Sequence, residues 1–228
     1  MYVLFFDIDG TLLSSGGAGK AAMEAALAAE FGVPQVQQGI PYSGRTDRAI
    51  MRDLLERHGV PATQANMTTL VAAYLERLPD FLSNHRGRVL PGIAALLETV
   101  ALRTEVAVGL LTGNLEAGAR VKLSHFDLWR HFAFGGYGDR HFDRNDVAHE
   151  ALTVLRALQP SFFEKPACLE RVWVIGDTPL DIACARAIGA RVAAVATGGH
   201  PISELAAANP DLVLSDFTDA SPLLERLA

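Results

Sequence analysis

Phe5-Phe6-Asp7-Ile8-Asp9-Gly10-Thr11-Leu12-Leu13 follows an apolar run with two carboxylates two positions apart and a glycine that closes the turn. The run itself, residues 2–6, is short, continuous and rich in aromatics, which predicts a strand buried on both faces, as in a parallel sheet. Three further runs have the same shape. Residues 106–111 end at Thr112-Gly113-Asn114, residues 172–175 at Gly176-Asp177, and residues 192–196 at Thr197-Gly198-Gly199; a shorter one spans 212–214. Between them lie helical patterns at 92–103, with Ile93, Leu96, Leu97 and Val100 on one face, and at 115–125, 145–158 and 179–188. Strands alternating with helices form βαβ units, whose crossovers are right-handed. The expected fold is therefore α/β: a Rossmann-like parallel sheet with helices on both faces.

Residues 14–88 differ. They carry helical patterns at 21–30, 45–58 and 66–78 and no convincing strand, and glycine-rich stretches (Gly16-Gly17 and 86–92) bound them as hinges. The expectation is a small helical cap domain, 14–88, inserted into a core domain made of 1–13 and 89–228.

The 228 residues suffice for such a core with one inserted module. A net charge of −6 and the lack of a basic run argue against nucleic acid as a partner. No apolar run approaches the ~18 residues of a spanning helix, so no membrane partner is expected. Cys168 and Cys184, 16 positions apart and without ligand-type neighbours, read as free thiols of a reducing compartment. No basic segment followed by an apolar stretch opens the chain, so the cytoplasm is the expected location. Nothing in the sequence sets an oligomeric state.

In open α/β sheets, ligands bind at the carboxyl ends of the strands. Three strand ends here carry oxygen-bearing side chains: Asp7/Asp9, Thr112/Asn114 and Asp177/Asp181. If the strands are neighbours, these groups converge. Two close carboxylates repel each other, and a cation relieves the repulsion. Few protein ligands, supplemented by water and a phosphate, suit Mg2+. Phosphoryl transfer fits such a site, with an aspartate as nucleophile.

FFDIDGTLL at 5–13, LLTGN at 110–114 and GDTPLDIACARAIGA at 176–190 resemble the first, second and fourth motifs of the haloacid dehalogenase-like hydrolase superfamily, in its phosphoglycolate-phosphatase-like branch. The resemblance covers essentially the whole chain, and the helical insert looks like the family's small cap. It implies that Asp7 attacks phosphorus and that Asp9 serves as general acid, then base. Asp7, the Asp9 backbone carbonyl and Asp177 would bind magnesium, with Asp181 supporting them from behind or through water. Thr112, Gly113 and Asn114 would hold the phosphoryl oxygens. A carboxyl group at Asp9 favours a phosphatase over a dehalogenase, and the implied partner is a small phosphorylated metabolite.

The family's third motif supplies a lysine, and here the chain departs. Lys165-Pro166 has the right spelling but belongs at the amino ends of the strands. Lys122 lies two turns into its helix, roughly 10 Å along the axis at 1.5 Å per residue, a distance its side chain is not expected to recover. Arg144, at a helix start after a glycine-rich loop, is preferred, with Lys122 as the alternative. In the insert, Tyr42-Ser43-Gly44-Arg45-Thr46-Asp47 resembles the family's substrate loop. Arg45 meets a substrate anion there, or else Thr46 caps the helix and Arg45 is solvated. His125, His131 and His141 read as surface or packing residues, His200 as a possible neighbour of the pocket, and Trp173 as core. Two competing functions remain: a phosphomutase using the same residues, and a catalytically silent binding domain, which would be expected to have lost its carboxylates.

Overall fold

The computed structural model describes residues 1–165 and 167–227. Six parallel strands form the central sheet, in the order β5-β4-β1-β6-β7-β8. They are β1 (Tyr2–Phe6), β4 (Val106–Leu111), β5 (Gly135–Gly136), β6 (Val172–Gly176), β7 (Arg191–Val195) and β8 (Leu212–Leu214). The five strands read from the sequence are present. β5 is two glycines long and has no side-chain signal by which a strand could be recognised. Its place is set by Leu110 and Leu111, which pair with Gly135 and Gly136.

β1 lies in the middle because both of its faces are apolar. Leu4 and Phe6 point into one core with α4 (Ile93–Ala101) and α5 (Glu116–His125); Val3 and Phe5 point into the other with α6 (Arg144–Leu158) and α8 (Pro179–Ala187). All four side chains are fully buried, each contributing about 1.5–3 kcal/mol of transfer free energy. Trp173 is core, as expected. The short helices α7 (Pro160–Phe163), α9 (Ile202–Ala207) and α10 (Ser221–Leu224) complete the covering layers.

From β1 the chain builds outward in both directions, to β4 and β5 on one side and to β6, β7 and β8 on the other. The reversal leaves a crevice at the carboxyl end of β1, the place where such sheets bind ligands.

Between the first strand and the rest of the sheet, the chain leaves and returns through a two-residue antiparallel ribbon, β2 (Leu13–Ser14) with β3 (Arg88–Val89). This pair is a correction to the strand-free reading of that stretch; two residues are too short to show a period. Three helices lie between: α1 (Ala18–Phe31), α2 (Asp47–Arg57) and α3 (Gln64–Asn84). They enclose a separate apolar cluster that includes Leu27, Met51, Leu54, Leu70 and Tyr74. α3 runs on through Pro79 to Asn84, beyond the expected end at 78. Leu78 and Leu82 continue its buried stripe, and their packing outweighs the hydrogen bond that the proline removes.

Candidate active site

The carboxyl ends of β1, β4 and β6 meet in a cavity of about 490 Å3 that also touches α1 and the loop before α2. Asp7 follows β1 directly, its N–H bonded to the Ile175 carbonyl of β6 at 2.9 Å. Asp177 follows β6, and the Thr11 hydroxyl donates to it at 3.1 Å. Asp7, Asp177 and Asp181 bring carboxylate oxygens within 4.8 Å of one another, and all three residues are buried. Burial, more than any neighbour, pushes the Asp7 carboxyl above its ordinary range; Arg144 pulls it down, and Asp181 pushes it up further. The Asp177 carboxyl is pushed up to about 8 by burial, then by the charges of Asp181 and Asp7.

Such a cluster has too little positive charge, and a divalent cation fits it. Asp7 and Asp177 are placed to be direct ligands. Asp181 has both oxygens engaged: one accepts from Arg144 at 2.6 Å, the other from the Thr178 N–H and hydroxyl at 2.9 and 2.7 Å. This is the capping box of α8, so Asp181 can act on a metal from behind. Room for the Asp177 carboxylate depends on two glycines. A Cβ on Gly10 would lie 2.3 Å from its Oδ2, and one on Gly198 only 1.7 Å away.

The two cation candidates are both present and have divided the work. Arg144, the first residue of α6, reaches Asp7 Oδ1 at 3.0 Å as well as Asp181. Lys122 reaches Asp9 at 2.6 Å and Asn114 at 2.7 Å, so the expectation that it falls short is corrected. Helical side chains lean towards the helix N-terminus, and that lean returns the ammonium group to the mouth of α5. Lys165 is exposed and precedes the amino end of β6; Pro166 lies outside the described residues.

Asp9 faces the cavity with 39% of its side chain open. Burial of its carboxylate opposes ionisation, but Lys122 and the Asn114 amide, bonded at 3.0 Å, prevail and hold it below the usual range. The Thr112 hydroxyl accepts from the Asn114 amide at 2.9 Å and hydrogen-bonds to Asp7. Gly113 is the point where the loop before α2 rests on the sheet. A Cβ there would lie 2.1 Å from the Arg45 carbonyl oxygen, and the Asp47 N–H donates to the Gly113 carbonyl at 2.7 Å.

For residues 42–47 the structure shows the helix cap at Thr46, while Arg45 is neither solvated nor unpaired. The Thr46 side chain accepts from the Ala49 N–H. Arg45 borders the cavity, yet it is bonded to Asp53 at 2.7 Å and to the Pro41 carbonyl at 3.1 Å. Asp47 is the residue whose involvement the sequence did not reveal. It is buried, accepts the Leu115 N–H at 3.0 Å, and is pushed up to about 6 by burial, with Lys122 pulling the other way. Its only signal was its place in a loop already suspected of facing the site. His200 bonds Glu204 at 2.9 Å and Ser43 at 3.4 Å rather than facing the carboxylates.

A match to the haloacid dehalogenase-like hydrolase family spans residues 4–186. Phosphoglycolate phosphatase 1 of Pseudomonas aeruginosa is 27% identical over 238 residues, covering 99% of this chain and 80% of that protein. Among solved structures, CbbY from Rhodobacter sphaeroides in complex with phosphate superposes with a TM-score of 0.72 at 19% identity, covering 97% of each chain. A hydrolase from Pseudomonas syringae does so at 0.67 and 23% identity over the full length of both. The fold is shared with these structures over nearly the whole chain. The chain belongs to the haloacid dehalogenase-like hydrolase family.

Proposed function

We propose that this enzyme hydrolyses small phosphate monoesters with Mg2+ bound, by way of a phosphoryl group carried on Asp7. The observation that carries the reading is the pairing of Arg144 with Asp7 and of Lys122 with Asp9, two positions apart in the segment that follows β1. Asp7 is aimed from the strand end into the cavity, and Arg144 offsets part of the cost of burying its charge. Asp7 and Asp177, with the Asp9 carbonyl, would hold the metal. When bound, it neutralises the carboxylate cluster and the phosphoryl oxygens. Thr112 and the backbone N–H groups of Gly113 and Asn114 would hold the phosphoryl oxygens.

Asp9 takes two roles in turn. With Lys122 beside it, the resting carboxylate is ready to take a proton from the water that attacks phospho-Asp7. To act first as an acid it must gain a proton. An arriving phosphate raises its proton affinity and competes for Lys122. Residues 1–13 and 89–228 serve as the catalytic core in this reading, and 14–88 as a cap that excludes water while the transfer proceeds. Free thiols at Cys168 and Cys184 suit a reducing compartment, and we assign the enzyme to the cytoplasm. Among the described residues, no helix is long and apolar enough to cross a membrane.

Phosphate release from an ester panel, with Mg2+ and with EDTA, tests the proposal. Asp7→Asn is expected to abolish turnover while leaving the circular dichroism and melting curve of a folded protein. Undiminished turnover in that variant would refute the nucleophile. Recovery of a sugar-phosphate isomer in place of free phosphate would point to the phosphomutase instead.

A further inference from the structure

The phosphoryl end of the cavity, at Asp7, Asp9 and Asp177, is only its floor. Met23, Tyr42, Ile50, Gly17 and Gly19 line much of the remainder, together with the polar Ser15, Ser43 and Asp47. Met23 and Ile50 are 3% exposed and belong to the apolar cluster of the three helices, against which Tyr42 also packs. Beyond the floor the cavity thus offers thioether, aliphatic and aromatic surface and glycine backbone, with a few polar groups among them.

Charge in this chamber is already matched. Four cationic residues border the cavity: Lys20, Arg45, Lys122 and Arg144. Lys122 and Arg144 belong to the aspartates at the floor. Arg45, the cation best placed for a second anion, is held by Asp53 at 2.7 Å and by the Pro41 carbonyl. Lys20 is 46% exposed, stands 3.7 Å from Glu24 and lies over the Tyr42 ring at 5.3 Å. The Tyr42 hydroxyl is also directed to Glu24. Asp47 adds a buried carboxyl to the lining. A carboxylate or second phosphate on the substrate would have to compete with Asp53 for Arg45 in a partly desolvated site, and Asp53, which also pairs with Arg52 at 3.5 Å, would repel it.

Taking the phosphatase reading above as given, we infer that the chamber selects a phosphate monoester whose remaining part is uncharged and apolar or aromatic, with Asp53 masking Arg45 against anionic tails. Phosphoglycolate, the compound in the name of the Pseudomonas aeruginosa relative, is then a poor substrate. Xylulose-1,5-bisphosphate, bound in a CbbY structure, is one too. Apolar substituents gain by burial against Met23, Ile50 and Tyr42, while a second anion finds Arg45 already paired and only the half-exposed Lys20 loosely held.

Benzyl phosphate, hexyl phosphate and phosphoglycolate, all esters of alcohols, separate the cases when assayed with Mg2+ on the full chain. The expected result is a kcat/KM for benzyl and hexyl phosphate about tenfold or more above that for phosphoglycolate. Asp53→Asn, which removes the negative charge that masks Arg45, is expected to raise the phosphoglycolate-to-benzyl phosphate ratio of kcat/KM about fivefold, mostly through KM. Phosphoglycolate as the best of the three in the unaltered enzyme would overturn the inference and leave the phosphatase reading standing. So would an unchanged ratio in a folded Asp53→Asn protein. Failure to release phosphate from any ester would overturn both. The comparison in the unaltered enzyme decides the matter even if the variant does not fold.

Discussion

Asp47 shows how one buried carboxyl ties the site to stability. Its folded-state pKa lies near 6, above the ~3.9 of an unfolded aspartate. The native state therefore holds its proton more tightly, and stability falls as pH rises from about 4 to about 6. At neutral pH the ionised, buried group costs up to roughly 3 kcal/mol. Asp47→Asn keeps an oxygen to accept the Leu115 N–H and removes that cost. Denaturant melts are expected to show it 1–3 kcal/mol more stable at pH 7 and equal to the parent near pH 4. A gain that did not depend on pH would contradict this. Asp9 makes the catalytic counterpart. Asp9→Asn should lower kcat by about 10²–10⁴-fold, as measured by steady-state phosphate release, because both proton transfers lose their carrier.

Among the elements, α3 and α8 are shaped by opposite demands. Pro79 sits exposed inside α3 and breaks its hydrogen-bond ladder. Pro79→Ala is expected to stabilise the fold by about 2 kcal/mol, the helix penalty of proline less the entropy it removes from the unfolded chain. Thermal unfolding measures it, with no change expected in KM. α8 starts at the site instead. Its capping box serves the helix and at the same time orients Asp181 towards Arg144. Thr178→Ala removes two bonds to Asp181, so it should cost about 1 kcal/mol of stability and weaken Mg2+ dependence of turnover as well. A stability loss with unaltered Mg2+ affinity would separate the cap from the site.

At the scale of the whole molecule, the sheet brings carboxylates from β1 and β6 together at a free-energy cost that a cation relieves. Asp177 titrates near 8 and Asp7 is also raised, so the metal-free protein loses stability as pH climbs from about 4 through 8. Cation binding requires the ionised forms, and therefore strengthens with pH over the upper part of that range. The rise in melting temperature on adding Mg2+ should be larger at pH 8 than at pH 6, and calorimetry should register proton release at the lower pH. Equal shifts at both would remove Asp177 as a ligand.

The five longer strands of the sheet, the main helices between them and the aspartates at the strand ends were legible in the chain, because each rests on local periodicity and on residues that follow a strand within a few positions; the two-residue strands and Asp47 were not. The apolar run before Asp7 dictates a buried central strand, and a buried strand must release its polar groups at its end. The partners of those aspartates were not legible. Whether Lys122 or Arg144 meets Asp7 depends on how two helices lean over the sheet, a matter of side-chain reach that axial distance does not capture; the structure gave each its own carboxylate. For Arg45 the sequence left a substrate anion and solvent as alternatives, and its partner Asp53, eight positions on, came only with the fold. Sequence determined which charges exist and roughly which end of the sheet they occupy. Only the tertiary structure decided which of them neutralise one another, since pairing is set by distance and burial between segments up to a hundred or more residues apart.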